Sequence, residues 1–199
     1  MDYKKLSRDL HLACQTGDWK TCRDTTKNLF NQLPKSVVVG ITFNFVKRYL
    51  PQFNQKHPQE IWAEARMRQI EQAIYTDYTY DWRQSYPEVA KHYGTPGDNN
   101  FVSSIGELWR IMIHWSDDEK VVELAVDALA NVFMATTLGI WGAENPTLWN
   151  SVTNPKTEDD RLILSTYFTS DPKVKEMVVR LWLDFADGVD NWIENEIYD

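Results

Sequence analysis

The sequence predicts an all-α protein of about seven to nine helices, arranged as a bundle or as stacked α-hairpins without a substantial sheet. Two observations carry this prediction. Apolar residues recur every three or four positions over most of the 199 residues. Residues that cap helix N-termini precede many of these segments, and glycine or proline often follows them. We expect one all-α domain over residues 1–199, or two subdomains over 1–93 and 100–199 joined by the loop 94–99.

The first two helices are predicted to form an α-hairpin. The apolar face of the first helix comprises Leu6, Leu10, Ala13 and Cys14. Gly17 stands where a left-handed residue would end this helix, and Asp18 suits the N-cap of the next one. The apolar face of the second helix comprises Trp19, Cys22, Thr26, Leu29, Phe30 and Leu33. Pro34 then stops this helix, because proline cannot donate the next backbone hydrogen bond.

Residues 36–50 are ambiguous between strand and helix. Their β-branched and aromatic side chains suit a strand, whereas Val38 and Ile41 begin a series with helical spacing. The length of the segment and its bounding residues, Ser36 and Pro51, favour a helix.

A further helix is predicted from Pro58, which suits a first helical position, to about Tyr78. Its inward positions would be Ile61, Ala65, Ile70 and Ile74. A short helix follows from about Pro87 to Tyr93. The loop after it, rich in Gly, Pro and Asn, is the strongest candidate boundary in the chain.

The second half gives stronger helical signals. Asn100 is predicted to cap a helix from Phe101 to Trp115. Ser116 and Glu119 have the spacing of a capping box, which would start a long helix that ends near Gly139.

The rest of the second half, residues 140–199, is predicted to hold a loop and two helices. The segment WGAENPTLWNSVTNP is predicted to be a loop with one helical turn. A helix starting at Asn154 or Thr157 would run through Phe168, and Asp171 with Pro172 would open the last helix.

Charge divides unevenly along the chain. Residues 1–99 carry 14 Lys and Arg against 11 Asp and Glu, whereas residues 100–199 carry 7 against 18. Part of this acid sits in predicted first turns, where it complements the helix dipole. After Arg180 no basic residue remains, and the residues that would form an acidic, aromatic-bearing surface there are Asp184, Asp187, Asp190, Trp192, Glu194 and Tyr198. We call these six residues the acidic ridge; a solvated helix face is the alternative interpretation.

Known catalytic and cofactor motifs are absent from the sequence. It contains no HExxH, Glu-x-x-His, GxSxG, P-loop or GxGxxG pattern, so we predict no catalytic residue and no cofactor. His11 and Cys14 lie three positions apart, but zinc would need two further ligands, and we therefore predict no metal site. These absences favour a non-enzymatic role.

Composition also bears on the partners and on the location of the protein. A net charge of −8 repels phosphate and disfavours nucleic acid, although basic and aromatic residues alternate in the first half. The N-terminus lacks the apolar region of a secretory signal, and no uncharged stretch is long enough for a membrane span. Cys14 and Cys22 indicate free buried thiols in a reducing compartment. A cytoplasmic protein without membrane contact is expected.

Three hypotheses for function follow. The leading one is a non-enzymatic helical interaction module, such as an adaptor, regulator or immunity-type protein, whose acidic ridge binds a basic surface of a partner protein. The alternative is a small-ligand-binding protein or enzyme with an aromatic pocket between helices, lined by Tyr75, Tyr78, Tyr80, Trp82, Tyr86, His92 and Tyr93. The third is a homodimer formed through exposed aromatic side chains.

Overall fold

The computed structural model describes residues 3–76, 80–83, 93–153 and 168–197. The described residues form nine helices and no strand, which confirms the predicted all-α class. The helices are α1 (Tyr3–Thr16), α2 (Trp19–Phe30), α3 (Lys35–Lys47), α4 (Leu50–Lys56), α5 (Trp62–Tyr75), α6 (Asp98–Ile113), α7 (Asp118–Glu144), α8 (Pro146–Thr153) and α9 (Pro172–Ile197).

The predicted hairpin of α1 and α2 is confirmed. Gly17 has a φ of +64°, so the chain leaves α1 through a left-handed residue. A carboxylate oxygen of Asp18 accepts a hydrogen bond of 2.7 Å from the backbone N–H of Thr21, which satisfies a free donor of the first turn of α2. Local sequence therefore accounts for the left-handed residue and for the cap of this turn.

The ambiguous segment is helical, as favoured. Proline at position 34 precedes α3, and α3 buries side chains on nearly its whole circumference. The buried residues are Val37, Val38, Val39, Gly40, Ile41, Thr42, Phe43, Phe45 and Val46. A helix that is surrounded by other helices needs apolar side chains all round, and this explains its strand-like composition.

The predicted start of the next helix is wrong. Pro58 lies in a turn, where the N–H of Glu60 bonds to the carbonyl of His57 at 2.9 Å, and α5 begins only at Trp62. A short helix that was not predicted, α4, precedes this turn. Pro51, and not Pro58, therefore occupies a first-turn position.

The predicted inward face of α5 is also wrong for its first two residues. The exposed fraction of Ile61 is 78%, and Ala65 is exposed as well, whereas Ile70 is buried and Ile74 half-buried. The buried face comprises Ala63, Met67 and Ile70. The helix ends at Tyr75, three residues before the predicted end.

Two caps in the second half differ from the prediction. Asn100 lies inside α6, which begins at Asp98 directly after Gly97. Asp117, and not Ser116, caps α7, because its carboxylate accepts the N–H of Lys120 at 3.0 Å. At α6 the N-cap is Gly97, which has no capping side chain, whereas at α7 two adjacent side chains, Ser116 and Asp117, could serve and Asp117 does.

Gly139 does not end α7, contrary to the prediction. A Cβ atom at this position would lie 3.2 Å from the hydroxyl of Tyr49, and one at Gly142 would lie 2.6 Å from Cβ of Pro96. The two glycines therefore let α4 and the 93–97 loop approach the helix closely. The helix continues to Glu144, and the predicted loop after it contains α8.

The predicted opening of the last helix is confirmed. Asp171 accepts a 2.9 Å hydrogen bond from the N–H of Lys173 in the first turn of α9. The predicted helices that start at Pro87 and at Asn154 or Thr157 fall almost wholly outside the described residues.

One hydrophobic core takes residues from both halves of the chain. At its centre the rings of Phe45, Phe133, Trp182 and Phe185 meet edge to face, with centroids between 5.0 and 6.2 Å apart. The high aromatic content therefore serves packing to a large extent. The proposed division into two subdomains stays a prediction.

Helix α7 runs through this core. It is the one helix in the described ranges that is long and apolar enough to cross a bilayer. However, 67% of its most apolar window is buried inside the protein, as in the core helix of a soluble protein.

The two cysteines are free and fully buried, as predicted. The interaction with the Cys22 thiol, together with burial, raises the pKa of Cys14, and the interaction with the Cys14 thiol lowers the pKa of Cys22. The Cys22 thiol also donates to the carbonyl of Ala13 at 3.4 Å.

We expect both thiols to react with a soluble disulfide reagent only when the hairpin opens, because the side chains have no exposed surface. The folded protein should release the chromophore of such a reagent slowly, and the urea-unfolded protein should release two equivalents at once. Fast labelling of the folded protein would contradict the buried placement.

Candidate functional site

The described residues of the acidic ridge lie along α9, which packs on α1, α3 and α7. Arg48, just after α3, places Nη1 2.5 Å from Oδ2 of Asp184. The guanidinium group also lies over the ring of Phe45, 4.0 Å from its centroid. Both charged side chains are more than half exposed, so we expect this ion pair to contribute less than about 1 kcal/mol to stability.

The other two aspartates of the ridge face a histidine. Nε2 of His11 lies 2.8 Å from Oδ2 of Asp190 and 3.8 Å from Oδ1 of Asp187. The exposed fraction of the side chain is 69% for Asp187 and 35% for Asp190. The ridge therefore keeps at least one accessible carboxylate with no Lys or Arg partner in the described part of the chain.

The aromatic members of the ridge divide between described and undescribed residues. Trp192 is half-buried and packs against the core, so only part of its indole is accessible. Tyr198 and the side chain of Glu194 lie outside the described residues.

The described residues of the alternative aromatic pocket, Tyr75, Tyr80, Trp82 and Tyr93, do not share one place. Tyr75 is exposed on α5, and its ring meets the edge of Phe43. Tyr80 and Trp82 pack on Trp109 of α6, with ring centroids 5.9 and 4.6 Å away. Tyr78, Tyr86 and His92 lie outside the described residues.

Tyr93, the last member of the predicted pocket, is buried beside the first residue of α5. Its hydroxyl accepts a 3.1 Å hydrogen bond from Nε1 of Trp62, and its ring packs on Phe53 and His57. The described part of the segment thus contributes to two packed clusters, and the pocket stays a prediction.

A groove with a volume of about 180 Å³ opens beside Asp184, between α3, α4, α7 and α9. Its floor is formed by Phe45, Val132, Phe133 and Leu181. Its polar rim is formed by Arg48, Tyr49, Gln52, Thr136 and Asp184. The sequence does not predict this groove, because its residues come from three segments that are distant in sequence, 45–52, 132–136 and 181–184.

A larger groove of about 470 Å³ lies where α2 and α3 meet the start of α7. Phe30, Leu33 and Val122 form part of its wall, and the ammonium group of Lys35 bridges to Asp118 at 2.6 Å. Cationic and anionic side chains alternate around it, so no single ligand charge is favoured.

The most unusual polar group is Asp98, whose side chain has no exposed surface. Its Oδ1 accepts hydrogen bonds from Nζ of Lys56 at 3.0 Å and from the hydroxyl of Tyr49 at 3.1 Å. Its Oδ2 accepts from Nε2 of His57 at 2.7 Å and from the hydroxyl of Thr95. We call these five residues the Asp98 cluster.

The Asp98 cluster joins α4, the 93–97 loop and the start of α6. Lys56 also bonds to the carbonyl oxygen of Pro96 at 3.4 Å, so a single ammonium group holds both the loop and the helix. Burial, together with the nearby Asp98 carboxylate, raises the pKa of Tyr49, which keeps its hydroxyl protonated as a donor. Four donors occupy the acceptor sites of Asp98, so the arrangement favours a structural clamp over a proton-transfer site.

The sequence does not predict the Asp98 cluster. Asp98 stands in a loop-like run of Gly, Pro and Asn, where an aspartate is usually solvated. The adjacent pair Lys56 and His57 was the available signal, but it lies about 40 residues away in sequence.

Comparison of the chain with family models, curated proteins and solved structures finds no match.

Proposed function

We propose that this protein is a non-enzymatic helical interaction module, which binds a basic surface of a partner protein through the acidic ridge on α9. The observation that carries the proposal is the exposure of Asp187, which is 69%, together with its lack of a Lys or Arg partner among the described residues. Its nearest basic group there is His11 at 3.8 Å. Such a carboxylate can meet an incoming cation without first losing a pair with Lys or Arg.

The neighbouring aspartates support the same proposal. Asp184 exchanges a weak, exposed pair with Arg48 for a pair with the partner at little cost. Rim charges of this kind mainly accelerate association and select partners of opposite charge. The proposal includes a cytoplasmic location, which the two free cysteines support.

The proposal is tested with a fluorescent peptide of alternating Lys and Ser, by anisotropy at low and moderate salt. We expect the triple variant Asp184→Lys, Asp187→Lys, Asp190→Lys to bind at least about tenfold more weakly than the unmodified protein, because three attractions become repulsions. Affinity for the unmodified protein should also fall as salt rises.

The matched control is the triple variant Asp24→Lys, Glu64→Lys, Glu71→Lys. It changes the net charge by the same amount on other helices, and it too breaks surface ion pairs, those with Arg68 and Lys47. Peptide affinity should stay within about threefold of the unmodified protein, since an exposed charge acts mainly within a Debye length. Equal losses in both triple variants would refute the proposal.

The alternative proposals are a ligand pocket in the aromatic segment 75–93 and a homodimer. Tyr75, with 59% of its surface exposed, is the described aromatic residue that best supports self-association. A monomeric mass by light scattering over a hundredfold range of concentration would refute the dimer.

A further inference from the structure

We infer that the 180 Å³ groove beside Asp184 receives one apolar side chain of the basic partner, next to the basic residues that meet the acidic ridge. This inference rests on the proposed function. It defines the partner as a surface that presents an aliphatic side chain adjoining lysine or arginine.

The size of the groove selects a single side chain. Pockets for drug-sized ligands have volumes of about 300–1,000 Å³, well above the 180 Å³ of this groove. An apolar cavity of about 150 Å³ already accommodates a group as large as benzene. The groove therefore fits one leucine-sized group better than a free metabolite.

Three of the four floor residues of the groove are held by close packing, and Leu181 is half-buried. Phe45, Val132 and Phe133 each expose 6% or less of their surface. Phe45 is held by edge-to-face contacts with Phe133 and Phe185, and the absence of a side chain at Gly188 lets α9 approach its ring. A floor that is fixed before binding loses little conformational entropy when a partner inserts a side chain.

Charge complementarity defines what surrounds that side chain. Asp184 belongs both to the rim of the groove and to the acidic ridge, and Asp187 follows one turn later on α9, about 4.5 Å along the helix axis. A partner residue seated in the groove is thus bordered on the α9 side by the carboxylate of Asp184, and Asp187 lies beyond it along the helix. The guanidinium group of Arg48 keeps its cation–π contact with the ring of Phe45 and stays on the rim of the groove.

Interfaces derive most of their binding energy from such an anchor, enclosed by a polar rim. The ridge alone offers exposed charges, which contribute little affinity. The groove supplies the apolar contact that the ridge lacks, and the two features adjoin through one residue, Asp184.

The test compares two peptides of equal charge, one with a single leucine between lysines and one with serine in its place. We expect the leucine peptide to bind the unmodified protein about tenfold more tightly. In a ¹³C-labelled protein, its titration should shift the methyl resonances of Val132 and Leu181, whereas the serine peptide should leave them in place.

Two variants of Thr136 locate the effect. Thr136 is half-buried on the rim, so the phenylalanine side chain of Thr136→Phe should fill the groove. The affinity of this variant for the leucine peptide should then fall to its affinity for the serine peptide. Thr136→Val keeps the volume and should preserve the tenfold preference. The methyl shifts are measured on the unmodified protein, so they test whether the leucine enters the groove even if Thr136→Phe disturbs the fold.

The outcomes separate this inference from the proposed function. Equal affinity of the two peptides, without methyl shifts at Val132 and Leu181, overturns the groove as an anchor site and leaves the acidic ridge intact. If neither peptide binds, the proposed function fails, and the inference fails with it.

Discussion

Replacing Asp98 with alanine is expected to reduce the free energy of unfolding by about 3 kcal/mol, one of the two largest effects that the structure predicts for a single residue. The variant removes the common acceptor of Tyr49, Lys56, His57 and Thr95. Breaking a buried ion pair from one side typically costs 3–5 kcal/mol. We take the lower end, because the side chains of Lys56 and His57 are 26% and 18% exposed and water can reach them.

Urea unfolding followed by tryptophan fluorescence measures this loss. The free energy of unfolding of Asp98→Asn should lie between that of Asp98→Ala and that of the unmodified protein. The amide keeps the volume and part of the hydrogen bonding but loses the charge. The slope of the unfolding free energy with urea should not change if the native fold is retained.

Asp184→Ala is the matched control, since it also removes an aspartate from an ion pair. Its pair with Arg48 is more than half exposed on both sides, so we expect a loss below about 1 kcal/mol. If Asp98→Ala lost no more unfolding free energy than Asp184→Ala, the Asp98 cluster would not stabilise the contact between α4, the 93–97 loop and α6.

Features determined by neighbouring residues could be predicted from the sequence. The turn at Gly17 and Asp18 and the opening of α9 at Asp171 each depend on contacts within four positions, and each was predicted correctly. The helical nature of residues 36–50 followed from spacing and length, although the reason for its composition is its burial among other helices.

Features that depend on distant residues could not be predicted in the same way. The aspartates of α9 could be identified from the sequence, but their partners could not. Arg48 pairs with Asp184 from 136 positions away, and His11 pairs with Asp190 from 179 positions away. Periodicity is also degenerate, since α5 contains apolar residues on two candidate faces and only the packing selects Ala63, Met67 and Ile70. The candidate site thus acquires its charge balance from tertiary structure.

Replacing Gly97 with alanine is expected to cost about 3 kcal/mol, comparable to the loss of Asp98. Gly97 has a φ of +83°, a conformation that costs an L-residue about 1–2 kcal/mol. In addition, a Cβ atom at this position would lie 2.9 Å from the carbonyl carbon of Ala135 and closer still to its oxygen. Because the obstacle is the backbone of α7, no side-chain rotation relieves it, and overpacking adds about 1–3 kcal/mol.

Gly94→Ala is the matched control in the same loop. A Cβ atom there would meet nothing within 4 Å, and its φ lies outside the left-handed range, so the change in stability should stay within about 0.5 kcal/mol. Gly97→Asn separates the two costs, since asparagine tolerates a positive φ but keeps the Cβ atom. In thermal unfolding, Gly94→Ala should therefore have the highest melting temperature, Gly97→Asn a lower one and Gly97→Ala the lowest. Equal melting temperatures for Gly94→Ala and Gly97→Ala would mean that the loop can move away from α7, and that the Asp98 cluster does not hold it there.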